Sequence, residues 1–435
     1  QKTLADSFGL RGDGDQFVAY RDAYSGQEFL HASRDVIEKG LRFDLGAYQY
    51  RVLLDWRDLR EDATHPWGDL CRELGGRGVP SLDEALRVHK LKPLHDALRH
   101  VLAPLEEPEI FTVQAGEDFT TDGVASGSLP AAEDAMREIE AKAGRAEETL
   151  EAEEVEVANG PVAQSKFDWS QLEEEPERLS KLAEEFFTRA QHFVISEVGY
   201  DPTSKLKPEN EIVVAKAVAQ FRATVNAALQ VPELENEFSA EWPKDARAVL
   251  PSEHSVAPRA VWGTVVAWAL MQSFAQAARP SDADRYAFCM FEDARLRQVI
   301  AEACGKLGLE GEDCWRAAAR VRFAFAHAAS SHNVRKPATT ASAPAPFSWL
   351  HDPDVRWLIG VHEYQGVRYF NKESFEQLLW WTALRPLVEI AADDSRGEEV
   401  RARVREVERD LNGRFRAAAE AGYRVEGLIE QANVL

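Results

Sequence analysis

Residues 259–279 read RAVWGTVVAWALMQSFAQAAR, and this run decides the fold. The 19 residues between Arg259 and Arg279 carry no charge. A stretch of that length just suffices to cross a membrane, which is the alternative interpretation. Because two glutamines, a serine and many alanines lower its hydrophobicity, the run predicts a buried core helix surrounded by other helices.

Apolar side chains at helical spacing continue on both sides of this run. They recur every three or four residues through 179–190, 212–225 and 296–325. Such stripes are typical of helices that bury one face. We therefore predict a helical bundle over residues 166–335, with the uncharged run at its centre.

The N-terminal part of the chain has a β pattern. Four stretches rich in β-forming residues predict strands, at residues 17–20, 28–31, 41–45 and 48–56. Gly40 is predicted to end a single helical turn between them. We predict that residues 1–62 form a small antiparallel β-sandwich.

A helical segment and an acidic linker follow the β region. Residues 63–111 are predicted to be a short helical segment, in which Ser81 and Glu84 form a capping box. Pro93 interrupts the apolar stripe, which predicts two short helices. Residues 112–165 are rich in Gly, Ser and Asp and then in Ala and Glu, which predicts an acidic flexible linker.

A second linker separates the bundle from the C-terminal part. Residues 336–346 read KPATTASAPAP and predict an extended Pro/Ala linker. Residues 347–435 predict a C-terminal helical segment, with Asn371 as a helix N-cap between the staple residues Phe370 and Phe375. The predicted fold class is mainly α, with a small N-terminal antiparallel β-sandwich followed by helical bundle domains.

Charge and cysteine content exclude several classes of protein. Acidic residues outnumber basic ones by 74 to 51, which gives a formal net charge of −23. Such a surface repels phosphate backbones and anionic lipids, so we expect neither nucleic acid nor a membrane as a partner. The four cysteines, Cys71, Cys289, Cys304 and Cys314, make no CxxC pair and indicate a cytoplasmic, reducing location. Because the chain begins with Gln1, either a leader has been removed or the chain is part of a longer polypeptide.

Standard catalytic motifs are absent from the sequence. There is no GxxxxGK[ST], GxGxxG, HExxH or GxSxG, and we expect no cofactor. The nearest set of metal-ligand residue types is His351, Asp352, Asp354, His362 and Glu363. We predict no metal site there, because Asp352-Pro353-Asp354 suits the cap of a following helix better.

Residues 40–44 match a catalytic motif out of context. Gly40-Leu-Arg-Phe-Asp44 fits G-x-R-x-D, the nucleophile motif of α-amylase-like enzymes. Those enzymes place the motif on the fourth strand of a TIM barrel of about 250 residues, opposite a second carboxyl group. Only 39 residues precede Gly40. We therefore predict no catalytic residue, and explain Arg42 and Asp44 by alternation in a sandwich strand.

Aromatic side chains crowd residues 349–381. Exposed tryptophan rings stack on sugar faces while nearby carboxylates accept hydrogen bonds from hydroxyl groups. Packing in the core is the alternative for aromatic residues at helical spacing. The candidate carbohydrate-binding residues are Trp349, Asp352, Trp357, Trp380 and Trp381. Trp380 and Trp381 are adjacent and cannot face one core together, so at least one is predicted at an interface, a groove or a domain contact.

The N-terminal residues 10–60 resemble a known family. The stretches FVAYRDAYSGQEFL and LRFDLGAYQYRVLLDW are similar to the β-sandwich that follows the catalytic barrel in glycoside hydrolase family 13, the α-amylase family. The positions that match its last strand are Leu45, Ala47, Tyr48, Val52 and Leu53. The run WLHDPDVRWLIGVHEYQGVRYFNKESFEQLLWW is similar to C-terminal extensions of some long bacterial members.

The resemblance implies a role without catalysis. The family acts on α-glucans by a retaining double displacement, but its four barrel motifs have no counterpart here, so no catalytic residue is carried over. We expect a non-catalytic C-terminal portion of an α-glucan-processing enzyme, whose partners are an α-glucan and the catalytic barrel of the same polypeptide or of a partner subunit. Two alternatives remain: a helical scaffold or protein-interaction module without ligand, and a self-sufficient enzyme with an unrecognised helical site.

Overall fold

Helices make up most of the structure, as predicted. The computed structural model describes residues 3–62, 64–106, 174–198, 206–208, 214–239, 242–252, 255, 257–327, 347–393 and 397–432. The predicted linkers at residues 112–165 and 336–346 lie outside these ranges. A small antiparallel sheet near the N-terminus is the main β element.

Three strands form the N-terminal sheet in the order β2-β1-β3. They are β1 (Gln16–Asp22), β2 (Glu28–Ala32) and β3 (Leu53–Arg60). On β1, Phe17 pairs with Ala32 of β2 and with Leu59 of β3. Between Ala19 and Arg21 the pairing register shifts, because β3 carries one extra residue there. The first two strands confirm the strands predicted at residues 17–20 and 28–31.

Helices cover one face of this sheet. The N-terminal helices are α1 (Leu4–Phe8), α2 (Ser33–Lys39), α3 (Trp67–Leu74) and α4 (Leu82–Leu102). A satellite core between the sheet, α3 and α4 contains Phe17, Ala19, Leu30, Trp67, Leu70, Leu74, Leu82 and Leu86. In the described ranges the sheet therefore packs against helices on this face, where a sandwich would place a second sheet.

The strand predicted at residues 41–45 is wrong, and the strand predicted at residues 48–56 is displaced toward the C-terminus. Residues 40–46 have no regular structure, and β3 begins only at Leu53. Gly40 ends α2 with a φ of 68°, and the N–H of Gly46 donates to Oε1 of Gln49 at 2.8 Å in a local turn. Because no neighbouring strand pairs with this stretch, its alternating pattern leaves apolar side chains in solvent.

Helix α4 is continuous over 21 residues, so the prediction that Pro93 divides it is wrong. A proline inside a helix removes one hydrogen bond and costs about 3 kcal/mol. Leu91 and Leu94 are buried on either side of it, and each such side chain gives about 1.5–3 kcal/mol, which offsets that cost. Ser81 accepts a hydrogen bond from the N–H of Glu84 at 3.3 Å, which confirms the Ser81 half of the predicted capping box, while the Glu84 carboxylate pairs with Arg295.

The bundle surrounds the uncharged run. Its helices are α5 (Glu175–Val198), α6 (Val214–Gln230), α7 (Lys244–Arg247), α8 (Pro258–Ala278), α9 (Ala283–Asp293), α10 (Leu296–Lys306) and α11 (Glu312–His327). Residues 260–275 of α8 are all buried, which confirms the predicted core helix. Phe274 of α8 stacks on Phe187 of α5 with ring centroids 6.1 Å apart. Across the described ranges, no helix combines the length and apolarity needed to cross a bilayer.

The C-terminal part adds helices and one hairpin. Its elements are α12 (Pro353–Leu358), β4 (His362–Tyr364), β5 (Val367–Tyr369), α13 (Lys372–Ala391), α14 (Glu398–Glu420) and α15 (Val425–Ala432). The side chain of Asn371 accepts a hydrogen bond from the N–H of Ser374 at 2.8 Å. The rings of Phe370 and Phe375 lie 4.7 Å apart, so the predicted cap and staple are confirmed.

One apolar core joins α4, the bundle and the C-terminal helices, since its members run from Leu91 to Leu428. Polar contacts also fix α4 against the turn between α9 and α10. The Nε2–H of His95 donates to the carbonyl of Ala294 at 2.7 Å. Burial of this ring lowers the pKa of His95 below its ordinary value.

Candidate functional site

Three of the four candidate sugar-stacking tryptophans are buried in the core. Trp349, Trp380 and Trp381 are 3%, 5% and 1% exposed. A ring enclosed by protein cannot lie against a sugar face. These three side chains therefore do not form the expected exposed platform, and they follow the core-packing alternative.

Their neighbours account for this burial. Trp349 stacks on Phe375, with centroids 5.9 Å apart. Trp380 lies 6.1 Å from Trp242, and the Nε1–H of Trp381 donates to the carbonyl of Arg320 at 2.5 Å. Because α13 has bundle helices on more than one side, two adjacent tryptophans find separate buried environments. Trp380 also lies against α14, which places it where the bundle meets that helix.

The other two candidates, Asp352 and Trp357, belong to a small polar layer around α12. Asp352 accepts a hydrogen bond from the N–H of Asp354 at 2.9 Å, which confirms the predicted helix cap. The guanidinium of Arg322 lies 2.8 Å from the Asp352 carboxylate. Trp357 is partly buried, and the guanidinium of Arg316 covers its ring at 5.1 Å. Both residues therefore already have protein groups where a sugar would bind.

The candidate metal-ligand residues separate in the structure. The carboxylate of Asp354 pairs with Arg297 and, at 3.1 Å, with Arg322. His362 and Glu363 lie on the β4–β5 hairpin instead. Over the part of the chain that the structure describes, no group of three His, Cys, Asp or Glu side chains is placed to hold a metal ion.

The G-x-R-x-D match at residues 40–44 lies in an irregular, exposed segment. Leu41 is half-buried, and both Arg42 and Asp44 are exposed. The explanation by a sandwich strand is wrong, because these residues are not in a strand. Their exposure differs from the setting of a glycosidase nucleophile, which faces a second carboxyl group across the bound sugar.

The β4–β5 hairpin carries Tyr364 and Tyr369, two aromatic residues of the 349–381 cluster that were not among the candidate sugar-binding residues. His362 pairs with Tyr369 across the strands, and their rings stack at 6.1 Å. Tyr364, on the same face, is 63% exposed. Gln365 and Gly366 both have positive φ, as in a type I′ turn. The sequence signal for this hairpin is the alternation of apolar and polar residues on both sides of Gln365-Gly366.

A second exposed surface lies beside the N-terminal sheet. We call residues 43–54 the apolar segment. Six of its large apolar side chains are exposed: Phe43, Leu45, Tyr48, Tyr50, Val52 and Leu54. Tyr48 is fully exposed and has a φ of 64°, a left-handed conformation that is uncommon for a bulky residue.

The apolar segment is electrically neutral in a strongly acidic chain. Its only charged residues are Asp44 and Arg51. Arg51 pairs with the buried Asp22 of β1. Beside the segment, Arg21 pairs with Asp55. Nearby charges are therefore largely compensated, which leaves an uncharged surface.

No family model, no curated protein and no solved structure matches this chain.

Proposed function

We propose that this chain is the non-catalytic C-terminal portion of an α-glucan-processing enzyme of the α-amylase type. In this proposal it supports the catalytic barrel by packing the apolar segment against it. The exposure of six large apolar side chains within residues 43–54 carries the proposal. The resemblance of residues 10–60 to the post-barrel sandwich supplies the class of partner.

The energetics favour a partner for this surface. Folded chains rarely leave a large contiguous apolar patch in solvent, and such a patch usually marks a surface that binds another molecule. Burying three of the six side chains would give roughly 5–9 kcal/mol before the costs of association. The left-handed backbone at Tyr48 costs about 1–2 kcal/mol, and contact with a partner would offset that cost.

The charges around β3 favour side-chain packing over addition of a strand. Arg57 of β3 pairs with Glu28 at 2.9 Å, and Arg60 lies 4.0 Å from Asp15. Charged side chains and a bulge protect a sheet edge from pairing with another strand. The neutral apolar segment thus suits an uncharged, apolar surface on a folded domain.

Photo-crosslinking tests the proposal. We would place p-benzoylphenylalanine at Tyr50 and, as a control, at Trp315, an exposed aromatic residue of α11 in the bundle. Irradiation in cells of the source organism should crosslink position 50 to an α-amylase-type barrel and leave position 315 unlinked.

Two results would contradict this proposal. A position-50 product with a protein of another class would favour the alternative of a general interaction module. Equal crosslinking at both positions would show that the apolar segment has no specific partner.

A second candidate function is binding of α-glucan at the hairpin. The exposed ring of Tyr364 beside the His362–Tyr369 stack favours it, because open aromatic faces stack on sugars. Affinity electrophoresis in amylopectin tests it with the full chain. Retarded mobility that Tyr364→Ser abolishes and Tyr24→Ser leaves intact would support it, and unchanged mobility of the wild type would exclude it.

A further inference from the structure

A small cavity lies where the start of α8, α11 and α13 meet. Its volume is about 40 Å³. Its lining is apolar except for two residues, Thr264 of α8 and Arg320 of α11. One water needs about 10–15 Å³, so the cavity has room for a few water-sized bodies and none for a sugar or nucleotide.

Arg320 brings an uncompensated positive charge to this cavity. Its guanidinium makes one hydrogen bond, a long one of 3.5 Å to Oε1 of Gln377. In the described ranges it forms no ion pair with a carboxylate. The carboxylate that most raises the pKa of Arg320 is that of Asp313, which is mostly exposed and lies 4.0 Å from Arg316. Burial lowers the pKa of Arg320 to about 10, so the group still carries its charge at neutral pH.

The other polar groups of the lining have partners already. The hydroxyl of Thr264 donates to the carbonyl of Ala260 at 2.7 Å. The Nε1–H of Trp381 donates to the backbone carbonyl of Arg320. Among the lining residues the unused donors therefore belong to the Arg320 guanidinium, and a partly desolvated cation is stabilised by an anion beside it.

We infer that this cavity binds one small inorganic anion of the size of chloride, held by the Arg320 guanidinium. The anion would neutralise the charge between α8, α11 and α13 and so stabilise the contact of the C-terminal helix with the bundle. The apolar walls select against larger or strongly hydrated anions, which would lose water without finding further donors.

Thermal unfolding of the full chain tests this inference. Chloride is exchanged for gluconate at constant ionic strength, because gluconate is too large for the cavity. At about 200 mM chloride the midpoint should be about 2–4 °C higher than in gluconate, and the difference should saturate with concentration. Arg320→Gln should abolish the difference, while Arg189→Gln, an exposed arginine on α5 that lies near Glu185, should retain it.

Crystals soaked in bromide give a readout that needs no variant. An anomalous peak in the cavity beside Arg320 supports the inference, and a cavity without a peak overturns it even if Arg320→Gln fails to fold. Equal midpoints in chloride and gluconate, or a chloride effect that survives Arg320→Gln, would also overturn it. The proposed contact with a barrel is unaffected by either outcome, because that contact involves a different surface.

Discussion

Replacing Arg322 by methionine should weaken the attachment of the C-terminal part to the bundle. Arg322 lies 2.6 Å from Glu292, 2.8 Å from Asp352 and 3.1 Å from Asp354, and its guanidinium covers the Phe288 ring. Its side chain is only 15% exposed. The methionine keeps most of the apolar stem and removes the charge.

The size of the loss in stability follows from the ion pair that each of the three acidic side chains loses. Glu292 is nearly half exposed, so its share is under about 1 kcal/mol. Asp354 retains its pair with Arg297. Asp352 is mostly buried and loses the guanidinium beside it, and removing one partner of such a pair costs about 3–5 kcal/mol when burial is complete. Because some water reaches this site, we expect a loss of about 2–3 kcal/mol in the free energy of unfolding.

Urea unfolding followed by circular dichroism and tryptophan fluorescence measures this loss. Arg189→Met serves as the control and should cost under about 0.5 kcal/mol, since its partner Glu185 is exposed. Adding Asp352→Asn to Arg322→Met should recover about 1 kcal/mol, because the amide oxygen still caps α12 without a charge. If Arg322→Met matches the control, the reasoning is refuted.

Three further changes test other parts of the fold. Burial lowers the pKa of His95, so the unfolded chain binds more protons at this residue, and the free energy of unfolding falls as the pH drops below about 6.5. In His95→Gln, the free energy of unfolding measured in urea should therefore change less between pH 7.5 and pH 5.5 than in the wild type. In Gly263→Ala the new Cβ would lie 2.4 Å from Cδ1 of Leu307. This overpacking should lower the free energy of unfolding measured in urea by about 1 kcal/mol, and a higher value than in the wild type would contradict the close packing at Gly263. Asn371→Ala should cost about 1 kcal/mol in the same assay and Asn371→Ser far less, so equal losses would rule out a capping role.

Local sequence signals predicted the elements whose partners are nearby in the chain. The cap at Asn371 and the Phe370–Phe375 contact depend on residues within one helical turn, and both are confirmed. The uncharged run was predictable because a helix that is apolar all round has to be buried. These features need no knowledge of distant neighbours.

Signals that depend on distant neighbours failed. The alternation of residues 41–45 predicts a strand only where another strand pairs with it, and none does. Pro93 was expected to break α4, but burial on both sides of it depends on helices far away in sequence. The burial of Trp349, Trp380 and Trp381 likewise depends on contacts with α11 and α14. The sequence therefore did not show that Tyr364, and not these tryptophans, is an exposed ring of the aromatic cluster.

Hydroxyl-radical footprinting of Tyr48 and Tyr50 tests the central proposal most directly. Both rings should react fast in the isolated chain, because they are exposed there. In protein purified intact from its source, both should be protected while Tyr364 of the β4–β5 hairpin stays reactive. Equal reactivity of Tyr48 and Tyr50 in the two preparations would contradict a barrel, or any other folded partner, at the apolar segment.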